Sequence, residues 1–336
     1  MPLAVQYYNG TEWQQFGLTT ADVTLSDGSI ASSFYSIKDS NDTLYVLCGR
    51  TTDSPRKAKI IKIPKTGIYT IRNMVNFDTG AENTGNWAAN NIQHDMAISR
   101  DGLYLFVTTS TNNADNQCIH KIPISALTGG DMANYRWSID YNANIKFAIY
   151  QDRYIWVASG TTIKIYDYTT KAELASVVST NTTAAISCDM QGNLYGIEQY
   201  FDNEFRAKIT KHIFNGISTI TSSAITGGIS IYHYEKQLLI DKWGDLIILT
   251  NSGTGSTLMK YTSTGVQVGT TLALQAPMYN LNVDKDGAIL YSNDLGTYKI
   301  PKNTQGQQAL VLGTKIRDTG MTTYGNRMFL DNAIMG

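Results

Sequence analysis

Charge is the first thing this sequence has little of. Of its 336 residues, 16% are Asp, Glu, Lys or Arg, against about 25% in an ordinary soluble protein, and the net charge is −1. A balance so near zero leaves no electrostatic footprint for nucleic acid or an anionic membrane surface. Long apolar runs are also missing. None approaches the roughly 18 residues that a spanning helix needs, so no membrane insertion is expected. The opening MPLAVQYYNGTEWQ lacks the basic region and apolar core of a signal peptide, and none is expected. Cysteine is scarce: Cys48, Cys118 and Cys188 are widely spaced and match no metal-ligand pattern. They read as small buried hydrophobes, with a Cys48–Cys118 disulfide as the alternative.

What the chain does have is 42% apolar residues, enough for a sizeable core, and 21 Tyr against 9 Phe. Thr, Asn, Ser and Gly fill most polar positions. Tyr and Thr suit half-exposed strands and Asn and Gly suit the turns between them, so the composition is that of an all-β protein.

A repeating unit confirms the class. Leu281 to Gly306, LNVDKDGAILYSNDLGTYKIPKNTQG, holds an apolar alternating strand, an Asp/Gly turn, a second strand and a third strand. Its second strand recurs as LYVLCG from Leu44, LYLFVT from Leu103, YIWVAS from Tyr154, LYGIEQ from Leu194, LIILTN from Leu246, ILYSND from Ile289 and MFLDNA from Met328. Successive starts lie 39 to 59 residues apart, a loose period in the range of propeller blades. The copy at Met328 has no room for a third strand before Gly336. At the other end, Ala4 to Gly17 reads as a third strand, a turn at Asn9-Gly10 and a fourth strand, with no first or second strand before it. The expectation is a single seven-bladed β-propeller over residues 1–336. Its last blade is a composite of about 319–335 and 3–18, and that closure removes open sheet edges.

The pattern of apolar strand, Asp-x-x-Gly turn and Leu-Tyr resembles the NHL and YVTN-like propeller superfamily, which implies the fold more than any one activity. The opening VQYYNGTEWQ resembles the start of many bacteriophage virion proteins, where a short Tyr-rich hairpin leads the chain. Low charge and Thr/Asn/Tyr richness accompany that resemblance. It implies a protein assembled in the host cytoplasm and located in the virion.

Long connections are expected at Gly49 to Lys59, Asp78 to Gln93, Thr108 to Gln117 and Glu198 to Ala207, and on the opposite face at Ser125 to Tyr135. Long loops on a rigid scaffold are the usual carriers of recognition. The first carries a basic cluster of Arg50, Arg56, Lys57 and Lys59. Trp87 lies in an Asn-rich stretch, either as a contact or as an anchor for its own loop. Tyr200, Phe201, Phe205 and Arg206 sit around Asp202 and Glu204 in a loop expected to be solvated, where aromatic residues and Arg read either as interface anchors or as packing within their own loop. The candidate contact residues are Arg56, Trp87, Tyr200, Phe201, Phe205 and Arg206.

Catalytic signatures are few. The sequence has no Gly-x-Ser-x-Gly elbow, no His-Glu-x-x-His zinc site, no phosphate-binding glycine loop and no calcium-loop spacing. Ser99-Arg-Asp-Gly102 lacks the spacing and the downstream Thr-Trp of a sialidase Asp-box. Asp101, Asp152, Asp189, Asp241 and Asp284 recur in the turns at what reads as one blade position, where Asp fixes a hairpin by accepting a backbone hydrogen bond. His120 and His212 read as equivalent third-strand residues with a packing role; His94 and His233 fall in other blades. No catalytic residue, metal site or cofactor is assigned.

The expected function is therefore non-enzymatic. It is a structural or adhesion protein of a phage particle, offering preformed surface to other virion proteins in a symmetric assembly. The alternative is a lectin-like binder of a host-surface glycan or receptor, with a calcium-dependent lactonase or a lyase as a third reading.

Overall fold

Second strands such as Leu246–Leu249 are buried along their whole length rather than at alternate residues. A strand of that kind has apolar side chains on both faces and needs a neighbouring sheet on each. The chain answers this with a series of small sheets. The computed structural model describes residues 3–8, 13–18, 20–24, 33–38, 43–49, 58–64, 70–73, 96–109, 118–127, 145–230, 235–241, 243–252, 255–274, 278–283, 288–293, 296–300, 310 and 314–318. Two compact units are present, Met1–Asn144 with Gly320–Gly336, and Ile145–Thr319.

The first unit opens with an antiparallel hairpin, β1 (Leu3–Tyr8) and β2 (Trp13–Leu18), in which Val5 faces Phe16. A single helical turn follows, α1 (Thr20–Val23). Next comes a four-stranded sheet of β3 (Ser33–Lys38), β4 (Leu44–Gly49), β5 (Ala58–Ile63) and β6 (Thr70–Asn73). Three strands, β7 (Met96–Ile98), β8 (Tyr104–Thr109) and β9 (Cys118–Pro123), make the next sheet, and a 3-10 turn, Ile124–Leu127, follows it. Ile37, Tyr45 and Ile60 of one sheet bury against Met96, Leu105, Val107 and Ile122 of the other.

The second unit repeats the plan four times. Its sheets are β10 (Ile145–Tyr150), β11 (Tyr154–Ser159), β12 (Thr162–Asp167), β13 (Glu173–Val178); then β14 (Thr182–Cys188), β15 (Leu194–Asp202), β16 (Glu204–Phe214), β17 (Ile220–Ala224), with β18 (Ile229–Ser230) also on β16. The third is β19 (Glu235–Ile240), β20 (Leu246–Ser252), β21 (Gly255–Tyr261), β22 (Leu272–Leu274). The fourth is β23 (Met278–Val283), β24 (Ile289–Asn293), β25 (Gly296–Ile300), β26 (Thr314–Asp318). Strands follow one another as antiparallel neighbours, and each sheet packs its apolar face on the next in chain order. Sequential four-stranded meanders stacked face to face are the blades of a β-propeller.

Six of the seven second-strand copies fall on described residues, and each is the second strand of its sheet. The inner strands expected from about 319 to 335 lie outside the described residues. The hairpin expected to join them, β1–β2, is present.

Strand register refines the repeat. Lys62, Lys121, Lys211, Lys260 and Lys299 lie opposite Tyr45, Phe106, Tyr195, Ile247 and Leu290. One lysine thus recurs on the same rung of five sheets. Taking that rung as the mark, the copy in β8 starts at Leu105, two residues after the Leu103 read from sequence. His212 follows its rung lysine, whereas His120 precedes its own, so the two histidines are not equivalent.

The turn aspartates also separate. Asp189 and Asp241 begin their turns, three residues before Gly192 and Gly244, and each Oδ1 accepts two backbone N–H groups. In the β7–β8 turn that first place belongs to Ser99, and Asp101 stands next to Gly102 and accepts from Leu103 N at 2.9 Å and Ser99 Oγ at 2.5 Å. Asp152 likewise holds a late position, with φ 54°. A short side chain with an oxygen acceptor satisfies the turn from either place, so spacing alone did not resolve them. Asp284 lies outside the described residues. Gly192 has φ +84°, and a Cβ there would fall 2.9 Å from the Tyr150 ring; its carbonyl accepts from Trp156 Nε1 at 3.1 Å and ties two sheets together.

One rung lysine is fully enclosed. Lys260 Nζ lies 3.2 Å from Asp241 Oδ2 and 3.0 Å from Asp245 Oδ2, with all three side chains buried. Removing one partner of a buried ion cluster leaves an uncompensated charge, at about 3–5 kcal/mol. Lys260→Met is accordingly expected to lower unfolding free energy by about that much in urea titration. A loss of under about 1 kcal/mol would show that the carboxylates had found solvent.

Candidate functional site

The candidate contact residues divide by position. Arg56 and Trp87 lie outside the described residues, as do Arg50 and Lys57 of the basic cluster. Lys59 is described, and it is buried in β5 with Nζ donating to the Asp22 carbonyl at 3.2 Å. It belongs to the core of its sheet rather than to an exposed basic loop.

Tyr200, Phe201, Phe205 and Arg206 come together on one hairpin. The stretch Glu198 to Ala207, read from sequence as a solvated loop, is paired strand to its tip. Gln199 faces Ala207, Tyr200 faces Arg206, Phe201 faces Phe205, and Asp202 faces Glu204. The chain reverses at Asn203, whose φ of 57° suits Asn better than most residues. Aromatic residues favour strands wherever they find cross-strand partners, and here they outweigh the charges between them. β18 adds a further rung at the base, pairing Arg206 with Ser230 and Ala207 with Ile229. Tyr200 and Arg206 close over Gly228, where a Cβ would meet both side chains. Arg206 Nη2 pairs with Glu204 Oε1 at 2.7 Å. Phe201 is 68% exposed, and Asp202 and Asn203 are exposed beside it. The side chain of Phe205 lies outside the described residues. The site is a rigid tongue with an aromatic residue and a carboxylate near its end.

Below the tongue lies a group of buried polar side chains absent from the sequence reading. Glu198 and His212 are each 1% exposed. Lys208 Nζ sits 3.1 Å from Glu198 Oε2, and His212 Nε2 is 4.0 Å from Glu198 Oε1. His212 Nδ1 shares a 2.8 Å hydrogen bond with Ser222 Oγ. Burial pushes Glu198 toward its neutral form, but the Ser179 and Thr210 hydroxyls and Lys208 more than offset this and hold its carboxyl below the usual range. Burial drives the His212 imidazole the other way, down to about 4, against the pull of Glu198. A signal for this cluster was present. Glu198 stands where the other marked second strands have Cys48, Thr109, Thr250 and Asn293, and Gly196 stands where they have Val46, Val107, Ile248 and Tyr291.

Neither buried group can meet a substrate from the surface. Cys188 is half-buried; desolvation raises its thiol to about 12, and Sγ donates to the Ile149 carbonyl at 3.3 Å, which holds it in the thiol form. The side chains of Cys48 and Cys118 lie outside the described residues. Among the described residues no three His, Cys, Asp or Glu side chains are grouped to hold a metal, and no helix is long and apolar enough to cross a membrane.

The His212 environment predicts a pH dependence. Its folded value, about 4, lies below the ordinary 6.5, so the unfolded chain takes up a proton first as pH falls. Stability should be unaffected by this group above pH 6.5 and fall between 6.5 and 4, by up to about 1.4 kcal/mol per pH unit. Unfolding titrations at pH 7, 6 and 5 should show a slope that His212→Gln reduces by close to one proton. An unchanged slope in the variant would mean that His212 protonates without penalty.

No family model and no curated protein matches the chain. Solved structures do. PorZ, a surface component of the type-IX secretion system of Porphyromonas gingivalis, matches with TM-score 0.56 at 13% identity, over 92% of this chain and 44% of that one. The chain therefore spans less than half of that protein. A chain of the Mitotic Checkpoint Complex matches with TM-score 0.52 at 12% identity, over 88% of this chain and 84% of its own length. The β-propeller domain of Cps50 (Swd1) from Myceliophteria thermophila gives TM-score 0.48 at 12% identity, over 68% and 75% of the two chains. At such identities the likeness to PorZ and to the checkpoint-complex chain is one of fold alone, and the β-propeller architecture is carried by the stacked meanders.

Proposed function

We propose that this chain is a non-enzymatic structural and adhesion protein of a bacteriophage particle, a seven-bladed propeller of the NHL/YVTN-like kind that contacts neighbouring virion proteins through rigid surface elements. The observation that carries the reading is the β15–β16 hairpin. Its strands run nine and eleven residues, where the other second and third strands run five to seven among the described residues. It projects an exposed Phe201 on a fully paired scaffold. A preformed element of this kind loses little freedom on binding, and an aromatic residue at its end is a typical anchor. The Tyr-rich opening that resembles virion proteins supports the assignment to a particle in the host cytoplasm. The hairpin β1–β2 and the second-strand copy at Met328 support closure by a shared seventh blade.

Exposed Phe201 beside Asp202 and Asn203 also favours a second reading, a lectin-like contact with a host-surface glycan or receptor. An aromatic face and a carboxylate are a common pair for sugar rings.

Two measurements separate the readings. Particles purified from a host producing a tagged chain should contain it at a fixed ratio to the major capsid protein, and Phe201→Ala should weaken incorporation by roughly 30-fold, the effect of a 2 kcal/mol anchor. Saturable binding of the purified chain on a glycan array, lost in the same variant, would replace the first reading with the second. Particles lacking the chain altogether would refute the virion assignment.

A further inference from the structure

The polar cluster beneath the hairpin lies between two blades, and its inventory does not balance. Leu194, Gly196 and Glu198 of β15 share one face with Lys208, Thr210 and His212 of β16, because their rungs alternate. The sheet β10–β13 packs along the same blade, with Trp156, Ala158 and Ile163 against Leu194 and Ile220. Its end is tied to the cluster by the backbone, through Thr183 N to Gly160 O at 2.8 Å and Ser179 N to Thr161 O at 2.7 Å. Within this enclosure Thr183 Oγ1 and His212 Nε2 are buried with no hydrogen-bond partner in the protein, on side chains 5% and 1% exposed. A buried polar atom without a partner costs stability, and natural proteins satisfy more than nine in ten of them.

Room exists beside these atoms. Gly196 interrupts a strand whose equivalents carry large apolar residues. A Cβ built on it would stand 3.5 Å from Thr183 Cγ2, 3.7 Å from His212 Nε2 and 3.9 Å from Ile186 Cγ2. Those are ordinary van der Waals distances, so the packing leaves room for a methyl group there. The Thr183 methyl group and His212 Nε2 border the space, and Glu198 Oε1 is 4.0 Å from His212 Nε2, a separation that one small molecule can bridge from the side with two normal hydrogen bonds.

We propose that Gly196 is kept free so that one water molecule is bound between the two blades, held by Glu198, His212 and the hydroxyl of Thr183. Charge selects water over a cation. The Glu198 carboxylate is already matched by Lys208 at 3.1 Å, and the imidazole is neutral at neutral pH, so the site carries no net charge to attract an ion. A buried water with three or four polar partners is an ordinary component of a protein interior, and it would make the seam a specific joint rather than a defect.

Two substitutions give opposite signs on the two accounts. If the space is dry, Gly196→Ala fills it and lowers unfolded-state entropy, and the melting temperature rises or holds. If it holds water, the methyl group displaces it, strands the polar atoms, and lowers the melting temperature by several degrees. Gly196→Ser, whose hydroxyl takes the place of the water, should recover part of that loss. Thr183→Val is the second arm, for use should Gly196→Ala fail to fold. Removing an unpartnered hydroxyl should stabilise, whereas removing a ligand of a bound water should destabilise. Oxygen-17 relaxation dispersion on the intact chain counts long-lived internal waters directly, and Gly196→Ala should lose one. An unchanged count with equal or higher stability in Gly196→Ala and Thr183→Val would overturn the proposal.

Discussion

A strand buried on both faces cannot be stable in one sheet, and this constraint underlies the whole molecule. Residues 155–158, 194–198 and 246–250 are each enclosed from end to end. A meander of four strands covers the edges of such a strand but neither face. Within each unit a neighbouring sheet covers such a face, so successive blades of the unit stabilise one another. Long-range stability arises from repetition of a local motif rather than from a single central core. The same logic explains why each blade keeps its turn so well fixed. A register slip of one residue would exchange the two faces and misplace both neighbours at once.

The rung lysine shows three solutions to one problem. Lys260 is enclosed between two carboxylates of its own turn. Lys211 lies 5.2 Å from the ring centre of Tyr195, and Lys121 lies 4.2 Å from that of Tyr104, where the aliphatic stem covers apolar surface and the ammonium meets the face of a ring. A flexible side chain with a charged end tolerates these different surroundings, which accounts for its recurrence on a rung whose opposite residue varies from Tyr to Ile.

The architecture was legible in the sequence because the blade repeats: an apolar strand, a turn and a second strand recur even when residue identities drift. Register was less legible. Leu103-Tyr104 looks like Leu44-Tyr45, yet the β7–β8 turn spans one more residue than the turn at Asp189, and the strand begins later than its letters suggest. The β15–β16 hairpin was misread for a related reason. Charged residues at Asp202, Glu204 and Arg206 mimic a solvated loop, whereas a hairpin that stands clear of its neighbours can carry charge on both faces and stay paired. Placing Arg56 or Trp87 requires residues beyond those described, so their part in any surface rests on sequence.

The buried pair Glu198 and His212 was visible in the sequence only as a breach of the repeat. A carboxylate and a glycine occupy places that other blades give to small or apolar residues, and either alone would read as an accident of drift. Together they have one economical physical account. Glycine makes space, the carboxylate and imidazole make it polar, and the hydroxyl of Thr183 completes it. Apolar packing is tolerant of sliding, since one methyl group replaces another at little cost. A buried polar joint is not, because each partner must be met at hydrogen-bond distance. Placing such a joint at the base of a hairpin longer than the others among the described residues would fix the direction in which Phe201 is presented. On the proposed reading, a fixed seam would set the geometry of the contact made at the tip.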